Sequence, residues 1–174
     1  MTVALDLVRE KSSQARARIL AVVSDLTDDQ LMWRPTQHAH SIGFTLWHTA
    51  RANDNVQADL TGHPLEWDAG RYAARWGHPD RGTGTGWDDE RSAALPLPAR
   101  DELFAYVHRV FDAVDAATGA LDDAALSRTL RSRFMGAETS IAEIVGSAIG
   151  HDNRHLGEME YIKGLLGLRG TATV

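Results

Sequence analysis

The 174-residue chain contains no cysteine, so disulfides and thiolate ligands are both excluded, and any transition-metal site has to be built from His, Asp and Glu. Lysine is nearly absent, occurring only at positions 11 and 163, and the 18 basic residues are outnumbered by 24 acidic ones. A net charge of −6 with dispersed arginines is the wrong balance for a nucleic-acid surface, which needs clustered cations against phosphate. No apolar run approaches the ~18 to 20 residues of a membrane span. The opening "MTVALDLVREKSSQ" lacks the apolar core of a signal peptide, so neither nucleic acid nor membrane is expected as a partner and a cytoplasmic location is expected. Internal repeats and low-complexity tails are also missing. What remains is a composition of 43% hydrophobic and 24% charged residues at a length suited to one domain spanning 1–174 with a single sizeable core.

Periodicity then predicts four long helices. Leu5, Val8, Ala15, Ile19, Val22 and Leu26 recur at three- and four-residue spacing with Ser12 in the gap, giving a helix near 3–25 whose Arg9, Arg16 and Arg18 are assigned to the wet side. "TDDQ" at 27–30 reads as a break and a short turn of helix before Pro35. Ser41 is a candidate N-cap for a second helix to about residue 61, closed by Gly62 and Pro64. Residues 61–97 lose the pattern and hold three of the five prolines, the run "RGTGTGW" and three tryptophans, Trp67, Trp76 and Trp87. They predict a long connection packed over one end or side of the bundle, with some of Trp67, Trp76 and Trp87 shaping the pocket mouth or a homodimer contact; Trp47 of the second helix joins Trp76 and Trp87 as candidate pocket residues.

A third helix near 98–119 follows Pro98, and a fourth near 139–167 follows a loop in which "TLRSRFM" could form a short extended piece. In the fourth, Gly146, Ser147 and Gly150 are small enough to admit a close neighbour. Four amphipathic helices with one long connection between the second and third predict an all-α four-helix bundle.

The chemistry concentrates in "GHDNRHLGE" at 150–158. His151 and His155 stand one helical turn apart on one face, where two imidazoles can reach a common point. A third ligand is sought on a neighbouring helix, and His48, on the border of the second helix's apolar arc, fits best. Three neutral imidazoles would leave a divalent ion with open positions, as at a catalytic rather than a closed structural site. His38 and His40 precede the helix, His63 and His78 lie in loops beside prolines, and His108 is off its helix's seam and expected at the surface.

Asn53 and Asp152 project into apolar arcs, where an unpaired amide or carboxylate costs several kcal/mol. Either they orient the ligand imidazoles by accepting their free ring N–H, or they bond each other or an arginine such as Arg34, Arg51 or Arg154. A zincin is excluded because Asp152, not Glu, follows the first histidine, and the paired Glu-x-x-His of di-iron bundles is missing. "GTGTG" has neither the Walker lysine nor a dinucleotide spacing.

"LMWRP" at 31–35, "SIGFTLWHTARANDN" at 41–55, "GTGTGW" at 82–87 and "HDNRHLGEMEYIKGLLG" at 151–167 together resemble the DinB-like superfamily of metal-binding four-helix bundles. That group includes bacillithiol and mycothiol S-transferase-like and maleylpyruvate isomerase-like proteins. The resemblance spans nearly the whole chain and places the family's metal triad on His48, His151 and His155 without departure. It implies a metal-dependent S-transferase or isomerase acting on a small molecule, with a low-molecular-weight thiol of the mycothiol type as cosubstrate. Nitrogen-only ligation suits Zn²⁺, Ni²⁺ or Fe²⁺. Arg51, Asp152 and Arg154 are candidate catalytic residues, the arginines as partners for a carboxylate on thiol or substrate. The alternatives are a non-enzymatic stress or ligand-binding protein with a structural metal, and a metal-dependent hydrolase.

Overall fold

The computed structural model describes residues 3–78 and 82–171, with the side chain of Ala4 also left aside. Helix α1 is Val3–Val23, and after a two-residue turn the short α2, Asp28–Met32, begins at Thr27. Thr27 accepts from the Gln30 amide while the Gln30 side chain accepts from the Thr27 amide, a reciprocal cap. Helix α3, Ile42–Thr61, starts where the Ser41 hydroxyl accepts from the Phe44 amide and stops at Gly62 in the left-handed conformation, φ 75°. The connection then carries three single turns: α4 (Glu66–Ala69), α5 (Tyr72–Trp76) and α6 (Asp89–Ala93). Helix α7, Arg100–Gly119, is followed by α8 (Asp123–Leu126), and Thr129–Arg131 (β1) pairs antiparallel with Glu138–Ser140 (β2). The expected extended piece is thus a two-stranded ribbon. It takes Thr139 out of the last helix, so α9 runs Ile141–Leu165 from a Ser140 cap.

The long helices form the bundle that the periodicity predicts, but not in simple up-and-down order. Helix α1 packs against α9 and α7, and α3 packs against α7 and α9. The sequential pairs α1/α3 and α7/α9 therefore lie across the diagonals, and α3 and α9 become neighbours. That adjacency positions the histidines. The core between them is Ile19, Val22, Leu46, Tyr106, Val107, Val110, Met159 and other fully buried apolar side chains. No helix among the described residues is long and apolar enough to cross a membrane.

Two expectations about helix faces are corrected. Arg16, assigned to solvent, is 1% exposed. Lying one turn after Ser12 on the flank of the α1 seam, it extends into the bundle, where its guanidinium donates to Ser12 Oγ and pairs with Asp115 of α7. Gly146 and Gly150 admit no neighbouring helix, because a Cβ at either position would meet nothing within 4 Å.

Residues 61–97 lie against the bundle rather than beyond it. Buried Asp54 of α3 anchors the connection by accepting from the backbone amides of Glu66 and Trp67 at 2.8 and 2.9 Å, from Tyr106 Oη and from Gln57. Desolvation at this buried point pushes the Tyr106 phenol well above its ordinary value. Around it Trp67, Tyr72, Trp76 and Tyr106 stack at centroid distances of 4.7 to 5.9 Å. Of the glycine run, Arg81 lies outside the described residues, while Gly82–Trp87 folds back over α3.

Candidate metal centre

Two neighbouring helices bring His48, His151 and His155 together, with one ring nitrogen of each within 4.8 Å of the others. His155 is 8% exposed and the other two are half-buried. His48 and His151 meet through their Nε2 atoms at 3.1 Å, and their ring centroids stand 5.0 Å apart. The His155 ring lies 4.8 Å from His48 and 4.4 Å from His151.

The outer nitrogens decide which atoms are free. His48 Nδ1–H donates to the Thr83 carbonyl at 2.6 Å, so its Nε2 carries a lone pair. His155 Nδ1–H donates to Glu158 Oε2 at 2.7 Å, one turn along α9, so its Nε2 is also bare, and it is buried without a partner. The 3.1 Å contact to a bare His48 Nε2 requires His151 to donate its own Nε2–H. That leaves His151 Nδ1 buried, unpartnered and 3.7 Å from Asp152 Oδ1, lone pair facing carboxylate. Moving the His151 proton to Nδ1 would turn it toward Asp152 and leave three bare Nε2 atoms directed at one point. At metal–nitrogen distances of ~2.0–2.1 Å, two ligands of one ion stand roughly 3.0–3.4 Å apart, so the His48–His151 spacing already fits. Burial holds the His48 imidazole down to about 4, against a smaller opposing effect of its Thr83 bond, which keeps it in the neutral form that ligation needs. The hydrogen bond from His155 in turn holds the Glu158 carboxyl below its usual value, against an opposing effect of burial.

Asn53 and Asp152 bond each other: the Asn53 amide donates to Asp152 Oδ1 at 2.7 Å and to the Thr49 carbonyl at 3.0 Å. The arginine that joins them is Arg16, not Arg34, Arg51 or Arg154; it stands 3.5 Å from Asp152 Oδ2 and 3.4 Å from Asn53 Oδ1. Asp152 Oδ1 is therefore held by an amide and faces His151 without a hydrogen bond to it. Arg51 is buried, 3.3 Å from Asp54 and 4.2 Å above the Trp67 ring, away from the histidines. Arg154 is exposed on the wall of the histidine cleft.

That cleft has a volume of about 600 Å³. Trp87 forms part of its wall beside Phe44, while Trp47 (1% exposed) and Trp76 (7%) stay in the core, Trp76 donating its indole N–H to Glu102. Trp47 directly precedes His48, so the helix turns it inward as His48 turns to the rim. The opposite wall, Arg133, Phe134 and Met135, has no counterpart among the residues singled out in the sequence. Asp59 builds it by accepting from Ser132 Oγ and from the backbone amides of Arg133 and Phe134. Of the other histidines, His40 lines the cleft mouth, His38 pairs with Asp89 at the surface, and His78 is buried against the Pro96 carbonyl. His63 and His108 are exposed.

Fold and site thus define a helical bundle with a three-histidine cluster suited to a divalent cation, set between two non-sequential helices. The profile of the DinB superfamily matches residues 12–159, and the chain belongs to that superfamily. No curated protein matches it. Among solved structures, the conserved protein of locus from Enterococcus faecalis is similar with a TM-score of 0.80 and 19% identity, over 96% of this chain and 99% of that one. YfiT from Bacillus subtilis, reported as a probable metal-dependent hydrolase with an unusual four-helix bundle topology, is similar with a TM-score of 0.65 and 13% identity, over 97% and 91%.

Proposed function

We propose that this protein is a metal-dependent enzyme of small-molecule chemistry, an S-transferase or isomerase that uses a low-molecular-weight thiol. The observation that carries the reading is the convergence of three bare or readily bared Nε2 atoms on one side of an open cleft. A divalent ion held there would supply positive charge that favours deprotonation of a bound thiol or water and polarises an electrophile.

The chain's own residues do the rest. Thr83 and Glu158 fix the ring orientations of His48 and His155 through their Nδ1–H groups. Phe44, Trp87, Phe134 and Met135 give the cleft apolar walls that exclude water from one side of the cluster. Arg154 offers a guanidinium to an anionic group beside it. Hydrolysis is the second reading, favoured by the hydrolase assignment of the Bacillus subtilis neighbour. A nucleophilic water needs a proton acceptor, and no Asp or Glu lines the cleft among the described residues: Glu158 and Asp152 stand behind the histidines, on His155 and beside His151, and His40 is the one further imidazole on the cleft lining. A thiol is far more acidic than water, so near neutral pH its proton can pass to solvent once a nearby cation favours the thiolate, which is why the thiol reading comes first.

The test uses untagged protein. Elemental analysis should find a divalent metal bound near one per chain. Stripping it should lower the melting temperature, since a ligand of the folded state at 100 times its Kd stabilises by about 2.7 kcal/mol. His155→Ala should be indifferent to chelator, and the cobalt(II)-loaded wild type should gain a thiolate charge-transfer band with thiols. Superimposable melting curves for stripped and loaded wild type, with no metal found, would overturn the metal reading; a metal without the thiolate band would favour hydrolysis.

A further inference from the structure

The cleft surfaces carry charge opposite to that of the chain as a whole, which is −6. Among the described residues the histidine cleft has Arg133 and Arg154 on its walls and no acid. A second cleft of about 660 Å³ lies on the other side of the 82–87 loop, lined among the described residues by Arg51, Arg71 and Arg133 and by one acid, Asp68. Asn55, Thr83 and Arg133 line both clefts and form the partition between them. Consecutive carbonyls hold that partition in place: Gly82 O accepts from Arg51 Nε at 3.4 Å and Thr83 O accepts from His48 Nδ1 at 2.6 Å.

The three arginines of the second cleft are not equivalent. Arg51 is neutralised by Asp54 and fixed against Trp67, so it acts as floor. Arg71 and Arg133 are exposed, and neither guanidinium has a hydrogen-bond or acidic partner among the described residues. Arg71 is also the one described non-glycine residue with positive φ, 53°. A left-handed conformation is disfavoured for an ordinary residue, and it is retained here at a side chain that lines the cleft.

We propose that the molecule handled at the histidine cluster carries an anionic arm, carboxylate or phosphate, that crosses the Asn55–Thr83–Arg133 partition and is held by Arg133 and Arg71. The inference rests on the reading of the cluster as a reactive metal centre. The guanidinium groups of Arg71 and Arg133, without an acidic partner among the described residues, set a positive potential at the partition that draws an anion there. Each guanidinium presents a planar fork that matches carboxylate or phosphate oxygens. Arg133 borders both clefts, so it would contact the arm at the crossing, with Arg71 at the far end.

Calorimetric titration of zinc-loaded protein separates the possibilities. Glutathione, with two carboxylates, should bind about tenfold or more tightly than its diethyl ester of equal length, the scale of a charge-assisted contact. Arg133→Gln and Arg71→Asn should each remove most of that preference. Both variants should fold: the Arg133 position is held through its backbone amide by Asp59, and asparagine tolerates the left-handed conformation. Coenzyme A in place of glutathione distinguishes phosphate from carboxylate, the tighter ligand naming the anion. S-methylglutathione keeps the carboxylates but offers no thiol. If it binds as well as glutathione and with the same arginine dependence, the anionic arm stands and the thiol reading fails. Equal affinity for glutathione and its ester, together with coenzyme A binding that is indifferent to both arginine substitutions, overturns the inference.

Discussion

Removing Arg16 tests whether the polar centre of the bundle is held by charge pairing. In Arg16→Met the helix propensity and much of the side-chain volume are preserved, but Asp152, which is 0% exposed, loses its cation. Its Oδ1 keeps the Asn53 amide, while Oδ2 has no other partner to turn to. Asp115, 38% exposed, is resolvated by water and contributes little. Breaking a buried pair by deleting one member costs about 3–5 kcal/mol because a charge is left uncompensated. For a chain of this length that corresponds to a fall in melting temperature of roughly 6–20 °C. Urea denaturation of the metal-free protein gives the free energy directly, and Asp152→Asn in the Arg16→Met background should recover most of it by removing the stranded charge. A loss below about 1 kcal/mol, or no recovery in the double variant, would refute the account.

Two further outcomes are expected. In metal-free protein the His48 ring should titrate by NMR near pH 4, because burial disfavours its cation. With the folded value below the unfolded one, the stability present above about pH 6.5 should be lost progressively as pH falls toward 4; a His48 midpoint near 6.5 would contradict this. Gly84→Ala should displace the loop and weaken metal binding, since its Cβ at φ 93° would meet Phe44 Cζ at 2.9 Å and Trp47 Cζ3 at 3.0 Å, beside His48 Nδ1 at 3.5 Å. Unchanged zinc affinity in that variant would separate the loop from the site.

The long helices and the histidine triplet were legible because each depends on side-chain identity at helical spacing. Ser41, Gly62 and the seam residues of α1 and α3 announce themselves by chemistry. Arg16 did not, because an arginine on the flank of a seam reads as solvent-facing until its partner is known, and Asp115 is 99 residues away. The group that orients His48 is a backbone carbonyl, which every residue possesses, so Thr83 left no trace in the sequence. The wall at 133–135 was partly visible as two large apolar residues, Phe134 and Met135, in a loop. Only the capping by Asp59 gives them a place.

The diagonal placement of α1 and α3, which makes α3 and α9 neighbours, also decides when the histidine cluster can close. His48 leaves the ribosome 103 residues before His151, and its neighbouring helix α9 is the last long helix among the described residues. Until α9 is made, α3 can pack against α7 but offers only one imidazole of the three, and a single imidazole is a poor trap for a metal ion. Capture has to await docking of α9 against both α1 and α3. A metal taken up at that stage would bind only chains that had completed their tertiary structure, so occupancy would report on folding and raise the barrier to unfolding after the last contact forms.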